Sequence, residues 1–262
     1  MIEVQNLTRK FNGLTAVDHI SFDVQKGELF GFLGPNGAGK TTTINMLTTQ
    51  LIPTEGSAKI AGFDVVRDPR SVRKAVGIIF QDPSLDVELT AWENLKFHGM
   101  LYNVRGSELK KQGDFLLDMV ELFDRKNSIV KNFSGGMKRR LEIARGLLHE
   151  PQVLFLDEPT LGLDPQTKTK IWEYIFRIQK RQDMTIFLTT HSMDEAEYCD
   201  RVAIIDRGKI IALDAPSALK EKTGEKTMNE VFLALTGKDF RDEEGYDPRV
   251  KIRQDMKLGR QR

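Results

Sequence analysis

Short apolar runs that stop abruptly at a polar residue punctuate this chain. Leu29 to Leu33, Val76 to Phe80, Val153 to Leu156 and Thr185 to Thr190 have the near-continuous hydrophobicity of parallel strands buried on both faces. Each run gives way to chemistry: the first to a glycine-rich loop from Gly34, the second to Gln81, the third to Asp157 and Glu158, the fourth to His191. Near the start the pattern changes to alternation. Ile2 to Leu7 and His19 to Val24 read as half-buried strands, with Ile20, Phe22 and Val24 on one face. Asn12-Gly13 is a turn between them. Phe11, just before it, fits either a core anchor or an exposed ring able to stack on a base.

Helical periodicity fills the intervals. Thr42 to Leu51 lacks any breaker, Pro53 to Gly56 is a turn, Ser57 to Ile60 a short strand and Ser71 to Lys74 helical. Thr90 and Glu93 form a capping box, and Ser107 to Phe123 places Phe115, Met119 and Leu122 at i, i+4 and i+7. No strand signal interrupts Thr90 to Phe123. Ser134 caps a further helix with Met137, Leu141, Ala144 and Leu148 as its apolar stripe, and Pro151 stops it. After the turn Leu161 to Pro165, Gln166 to Gln182 is a helix with Ile171, Ile175 and Ile178 inward. Arg201 to Leu213 reads as a hairpin around Asp206 to Gly208, and Thr227 caps a last helix through Leu235. The fold class is α/β: a mostly parallel sheet, an N-terminal antiparallel β region and a helical subdomain inserted at about 89–150. The domain is expected to span 1–237, followed by a charged tail, 238–262, expected to be mobile or ordered by a partner.

Composition narrows the setting. A length of 262 residues suits one α/β domain with an insertion. The net charge of +1 supplies no global field for nucleic acid or an acidic membrane. Cys199 is the only cysteine, which excludes an internal disulfide and reads as a small buried hydrophobe. No apolar run approaches the roughly 20 residues that span a bilayer, and Met1-Ile-Glu-Val has no basic signal segment, so the chain by itself is expected to be soluble in a reducing cytosol.

Gly34 to Thr41 reads G-x-x-x-x-G-K-T between a buried strand and a helix, the spacing of a phosphate-binding loop. Gly34, Gly37 and Gly39 let the backbone curl its N–H groups inward. The whole stretch Gly34, Pro35, Asn36, Gly37, Ala38, Gly39, Lys40, Thr41, Thr42 is the candidate cradle. Lys40 reaches the terminal phosphates, Thr41 offers a hydroxyl to Mg²⁺, and the helix dipole points at the same anion. Asp157 and Glu158 fall at the carboxyl end of a central strand, where open parallel sheets bind ligands. Asp157 is the candidate Mg²⁺ carboxylate and Glu158 the candidate general base. His191 stands at the same rim, within reach of a terminal phosphate or an attacking water. Gln81 is a turn residue or a metal-facing amide. Two glycines follow Ser134 in the first helical turn, where each costs about 1 kcal/mol relative to Ala. Ser134, Gly135 and Gly136 therefore form either a second anion site or a tight start packed against another element. Lys138, Arg139 and Arg140, interleaved with Glu142, read as a solvated face.

Taken in order, Phe11, Gly34 to Thr41, Gln81, Ser134 to Gly136, Asp157-Glu158 and His191 resemble the motif set of ATP-binding-cassette ATPases, the engines of ABC transporters. The resemblance covers about residues 1–237. The versions Phe133-Ser-Gly-Gly-Met-Lys-Arg-Arg-Leu-Glu and Glu230-Val-Phe-Leu-Ala-Leu-Thr-Gly237 are similar to the branch of daunorubicin-resistance-type drug exporters and sodium-extrusion ATPases. It implies ATP and Mg²⁺ as cofactors, Phe11 on the adenine, Gln81 on Mg²⁺, Glu158 as base, His191 on the γ-phosphate and Asp164 at a dimer interface. Ser134 to Gly136 would clasp ATP held by a second copy, or by a similar subunit. It further implies a separate integral membrane permease, docked near Gln81 and residues Asp82 to Trp92, that holds the protein on the inner face of the membrane. Phe133 and Met137 depart from the commonest Leu-Ser-Gly-Gly-Gln signature, and Phe11 from the more usual tyrosine. A cassette acting on nucleic acid or ribosomes is the alternative, though such relatives usually carry two cassettes or long coiled-coil insertions. An unrelated nucleotide kinase or GTPase would leave Ser134 to Gly136 unexplained, and no Asn-Lys-x-Asp for guanine is present.

Overall fold

The computed structural model describes residues 1–81 and 84–237. The tail 238–262 lies outside the described residues.

Two sheets organise the chain. Strands β1 (Ile2–Phe11) and β2 (Leu14–Val24) form a hairpin through Asn12 and Gly13, whose φ values of 41° and 88° suit a tight two-residue turn. β3 (Leu29–Leu33) and the helix α1 (Lys40–Leu47) flank the phosphate loop. β4 (Glu55–Ile60) and β5 (Phe63–Asp64) complete an antiparallel sheet of order β2-β1-β4-β5. β4 begins inside the expected turn at 53–56, because Glu55 pairs with Thr8 of β1.

Next come α2 (Pro69–Ala75), β6 (Val76–Ile79), α3 (Ala91–Leu101), α4 (Gly106–Met119) and α5 (Gly135–Leu147). The chain continues through β7 (Val153–Asp157), α6 (Pro165–Gln182), β8 (Thr185–Thr190), α7 (Met193–Ala196), β9 (Arg201–Asp206), β10 (Lys209–Asp214), α8 (Pro216–Thr223) and α9 (Met228–Thr236). The second sheet has the order β10-β9-β3-β8-β7-β6 and is parallel except for β10. Local chemistry sets the helix starts: the Thr90 and Thr227 capping boxes both form, and Ser134 and Asp164 cap α5 and α6.

Period-2 alternation sorts the central strands between two cores. Phe30, Phe32, Val153, Phe155 and Phe187 face the antiparallel sheet and α1, whereas Leu29, Leu33, Leu154, Leu156, Ile186 and Leu188 face the helices. Phe187 is the hub of the first core, with ring centroids 5.3 Å from Phe155, 5.5 Å from Phe32 and 5.6 Å from Phe30. Phe22 stacks on Phe30 at 5.5 Å and so joins the two sheets.

The helices α3, α4 and α5 pack on one another, giving the helical insertion its core. In α4 the buried face is Leu109, Leu116, Leu117 and Met119. Phe115 is 42% exposed rather than part of that stripe, since i+4 spacing from Phe115 to Met119 does not outweigh the two adjacent leucines that fix the inward face. The helix also ends at Met119, earlier than the expected Phe123, and a short 3₁₀ turn, Phe123–Arg125, comes after it.

Replacing the hub tests its role. Phe187→Ala should lower unfolding free energy by about 3–5 kcal/mol, as other large-to-small core changes at aromatic positions do. Urea titration would show it, and a loss below about 1 kcal/mol would refute the hub role.

Candidate functional site

The phosphate loop leaves β3 and enters α1. A Cβ at Gly34 would lie 2.4 Å from the Ile205 carbonyl oxygen, and one at Gly39, where φ is 109°, 2.6 Å from that of Ala16. Both positions therefore require glycine. Gly37, also at positive φ, has open space around it, as a cradle for a ligand would. No side chain caps α1, whose N-terminus faces the loop. The loop is held from outside: Ala38 accepts from the Gly208 N–H at 2.9 Å, and Gly208 accepts from Asp18 at 2.8 Å. This places β2, and with it the β1–β2 hairpin, beside the loop. Phe11, at the end of β1, is 39% exposed rather than buried in the core, and the Arg9 guanidinium lies 4.5 Å from its centroid.

Lys40 bends back into the loop. Its Nζ donates to the Gly34 and Pro35 carbonyls at 2.8 and 3.1 Å and lies 3.2 Å from Glu158. Burial pushes the ammonium below its ordinary pKa, against the pull of Glu158. Burial also works against ionised Glu158, yet the hydrogen bond with His191 and the Lys40 charge outweigh it and hold that carboxyl below its usual range. His191 Nδ1 is 3.1 Å from Glu158. Lys40, Glu158 and His191 thus form one connected row along the carboxyl edge of the sheet. Glu158 sits at φ 48°, a left-handed conformation that strains an L side chain by about 1 kcal/mol or more. Its N–H is anchored on Thr189, to both carbonyl and hydroxyl.

Asp157, the last residue of β7, accepts from Thr41 at 3.2 Å and from the Thr189 hydroxyl. Burial raises its pKa, the Thr189 bond opposes this, and the neighbouring Glu158 charge adds to it. A carboxylate and a hydroxyl so close together are a hard-oxygen donor pair of the kind Mg²⁺ takes alongside phosphate oxygens. Gln81 lies past the end of β6, exposed, without a hydrogen bond to this row among the described residues. Thr42 lies in the first turn of α1, and Asn36 is exposed at the tip of the loop.

Ser134 caps α5 through the Met137 N–H at 3.2 Å. The two glycines beside it differ. A Cβ at Gly136 would meet the Thr167 side chain at 2.6 Å, so this glycine is explained by packing against α6. At Gly135 a Cβ would find only Leu163 at 3.9 Å, an ordinary contact, so internal packing does not require it. Among the described residues no hydrogen bond joins Ser134, Gly135 or Gly136 to the phosphate loop of the same chain. Asp164 has its carboxylate engaged by Thr167 at the start of α6.

The basic run on α5 is not a solvated face. Arg139 is 6% exposed and donates to the backbone oxygens of Pro159 at 2.7 Å, of Asp157 and Glu158 at 3.2 Å each, and of Phe80, with Glu142 as its ionic partner. Arg140 bonds the Val120 carbonyl. Sequence reasoning missed Arg139 because Glu142 at i+3 is what a surface pair looks like. The one hint is that carbonyls at the ends of buried strands need donors from elsewhere.

Fold and site together define a phosphate-loop ATPase with a helical subdomain inserted between two strands of its parallel sheet. A profile of the ABC transporter family matches residues 17–161, and the chain belongs to that family as one of its ATP-binding cassettes. It is 41% identical over 244 residues to the probable multidrug ABC transporter ATP-binding protein YbhF of Escherichia coli, covering 90% of this chain but only 41% of YbhF. It is 38% identical to the linearmycin resistance ATP-binding protein LnrL of Bacillus subtilis, covering 89% of this chain and 78% of LnrL. Among solved structures it resembles the dimeric post-hydrolysis cassette MJ0796 bound to ADP and Pi, with a TM-score of 0.73 and 27% identity over 82% of this chain and 98% of that one.

Asp157 gives a prediction with a definite sign. A carboxyl whose folded-state pKa is raised weakens the fold wherever it is ionised, and this penalty disappears as pH falls through that raised value. Asp157→Asn should therefore melt a few degrees higher than wild type at pH 7 without nucleotide, the gap closing in acid. Calorimetry across pH checks this, and a lower melting temperature at pH 7 would contradict it.

Proposed function

We propose that this chain is the ATP-hydrolysing subunit of a membrane exporter, working as a pair of cassettes beneath a separate membrane-spanning protein. The connected row Lys40, Glu158, His191 at the end of the parallel sheet carries the reading. It sets a cation for phosphate, an ionised carboxylate able to accept a proton and an imidazole side by side. Gly34 to Thr42 hold the phosphates, with Lys40 on the terminal ones, and Phe11 stacks on the base. Asp157, Thr41 and Gln81 hold Mg²⁺, which when bound screens the phosphate charge. Glu158, ionised at neutral pH, takes the proton of an attacking water, and His191 orients that water or the γ-phosphate.

Gly135 supports the pairing. Its exposed, bare backbone has no internal use, and a helix N-terminus carrying a serine hydroxyl and free space suits the phosphate of a nucleotide held by another copy. The similarity to a cassette solved as a dimer with ADP and Pi supports the same arrangement. Export is supported by what the relatives are named for, multidrug and linearmycin resistance. Among the described residues no helix is long and apolar enough to cross a membrane. In this reading a separate permease supplies the path, docking against the helical insertion near Gln81 and residues 84–92 and holding the cassette at the inner face of the membrane.

Two variants test this. Glu158→Gln should bind ATP, lose about 10²–10⁴-fold in turnover and accumulate as an ATP-bound dimer in light scattering. Near-normal turnover would remove Glu158 from the base role, and a trapped protein that stays monomeric at every concentration would end the pairing. Gly135→Ala should melt like wild type yet form that dimer at least about tenfold more weakly. Undiminished dimerisation would show that Gly135 does not serve the partner's nucleotide.

A further inference from the structure

Glu158 and His191 stand just beyond the ends of β7 and β8, whose last residues, Asp157 and Thr190, pair with Thr189 of β8 and Leu33 of β3. The Glu158 N–H is tied to Thr189 of β8, but the two side chains lie past the last rungs of the ladder, so their spacing also depends on what holds the chain beyond it. We infer that Glu195 is the positioning residue that fixes it. This rests on the roles proposed above for Glu158 and His191.

The geometry is a closed ring. Glu195, 5% exposed, accepts from the Thr160 hydroxyl through Oε1 and from the Thr190 hydroxyl at 2.7 Å through Oε2. Thr160 lies two residues after Glu158, and Thr190 immediately precedes His191. The Glu158–His191 contact of 3.1 Å closes the circuit, which runs Glu158, Pro159, Thr160, Glu195, Thr190, His191 and back. Thr190 Oγ1 also accepts from the Ser192 N–H at 2.9 Å, which ties the start of α7 into the ring.

Among the described residues no cation pairs with Glu195. A buried carboxylate satisfied by hydroxyls alone is a poor stabiliser, because desolvation offsets much of what the hydrogen bonds contribute. What two carboxylate oxygens, one bonded to the turn after β7 and one to the end of β8, do provide is a fixed distance. A displacement of the order of 1 Å at a reacting pair can cost about 10²-fold in rate. Both carboxylate oxygens of Glu195 are taken up by Thr160 and Thr190, so its effect passes through the pair it holds.

The test uses steady-state ATP hydrolysis by the full chain at concentrations that support pairing, with melting curves in parallel. Glu195→Ala should lower kcat about 10²-fold while KM for ATP moves less than about twofold, since the phosphate loop is untouched. Glu195→Gln should stay within about threefold of wild type, because an amide can accept from one threonine and donate to the other. Thr160→Val, an isosteric change, should lower kcat as Glu195→Ala does, and the double variant should be no worse than the poorer single one. This arm stands if Glu195→Ala fails to fold. Wild-type kcat in Glu195→Ala, an equal loss in Glu195→Gln, or additive losses in the double variant would each overturn the inference. Glu158→Gln is the control. If it turns over normally, the base assignment falls; if it is inactive while Glu195→Ala is not, only the positioning role falls.

Discussion

Lys40 and Glu158 are buried side by side at 3.2 Å, with side chains 5% and 8% exposed, and this pairing dictates their surroundings. Removing two charges from water costs several kcal/mol per ion, which one contact rarely returns in full. Each charge therefore has further partners: backbone carbonyls of the loop around Lys40, and His191 beside Glu158. The pair also spans the sheet. Lys40 comes after β3 and Glu158 after β7, and β8 lies between those strands. A cation and an anion meet there only because three parallel strands end at one level, which is why the loop glycines, strained Glu158 and the threonines of β8 all crowd the same rim.

Much of this was legible in the sequence for a physical reason. Strands buried on both faces must be apolar throughout, so a charge that appears where such a run stops marks the sheet edge. The phosphate loop, Asp157-Glu158 and His191 were readable on that basis, as were the helix starts, because caps are local. What stayed hidden depends on partners distant in the chain. Arg139 resembled a surface residue until the carbonyls of Phe80 and Glu158 arrived beside it. Gly136 looked like half of an anion site until Thr167 of α6 filled the space a Cβ would need, leaving only Gly135 without an internal explanation. Phe115 matched helical spacing, but Leu116 and Leu117 set the inward face. Spacing names an element's faces, and packing alone decides which one is covered.

The turn after β7 is gripped from two directions. On one side Arg139 reaches out of α5 to the carbonyls of Asp157, Glu158 and Pro159, and the same guanidinium holds Phe80, the residue before Gln81. On the other, Glu195 ties Thr160 to the end of β8. Arg139 is thus common to three places: the helix whose N-terminus carries Ser134 and Gly135, the strand end that leads to Gln81, and the backbone of Glu158. A guanidinium is planar and its donors are fixed in direction, so α5 cannot shift by much without breaking bonds at the turn or carrying it along. Arg139 therefore joins α5 of the helical insertion and the chain before Gln81 to the backbone of Glu158, while Glu195 joins the same turn to the end of β8. Strain at Glu158, with φ at 48°, sits where those two holds meet.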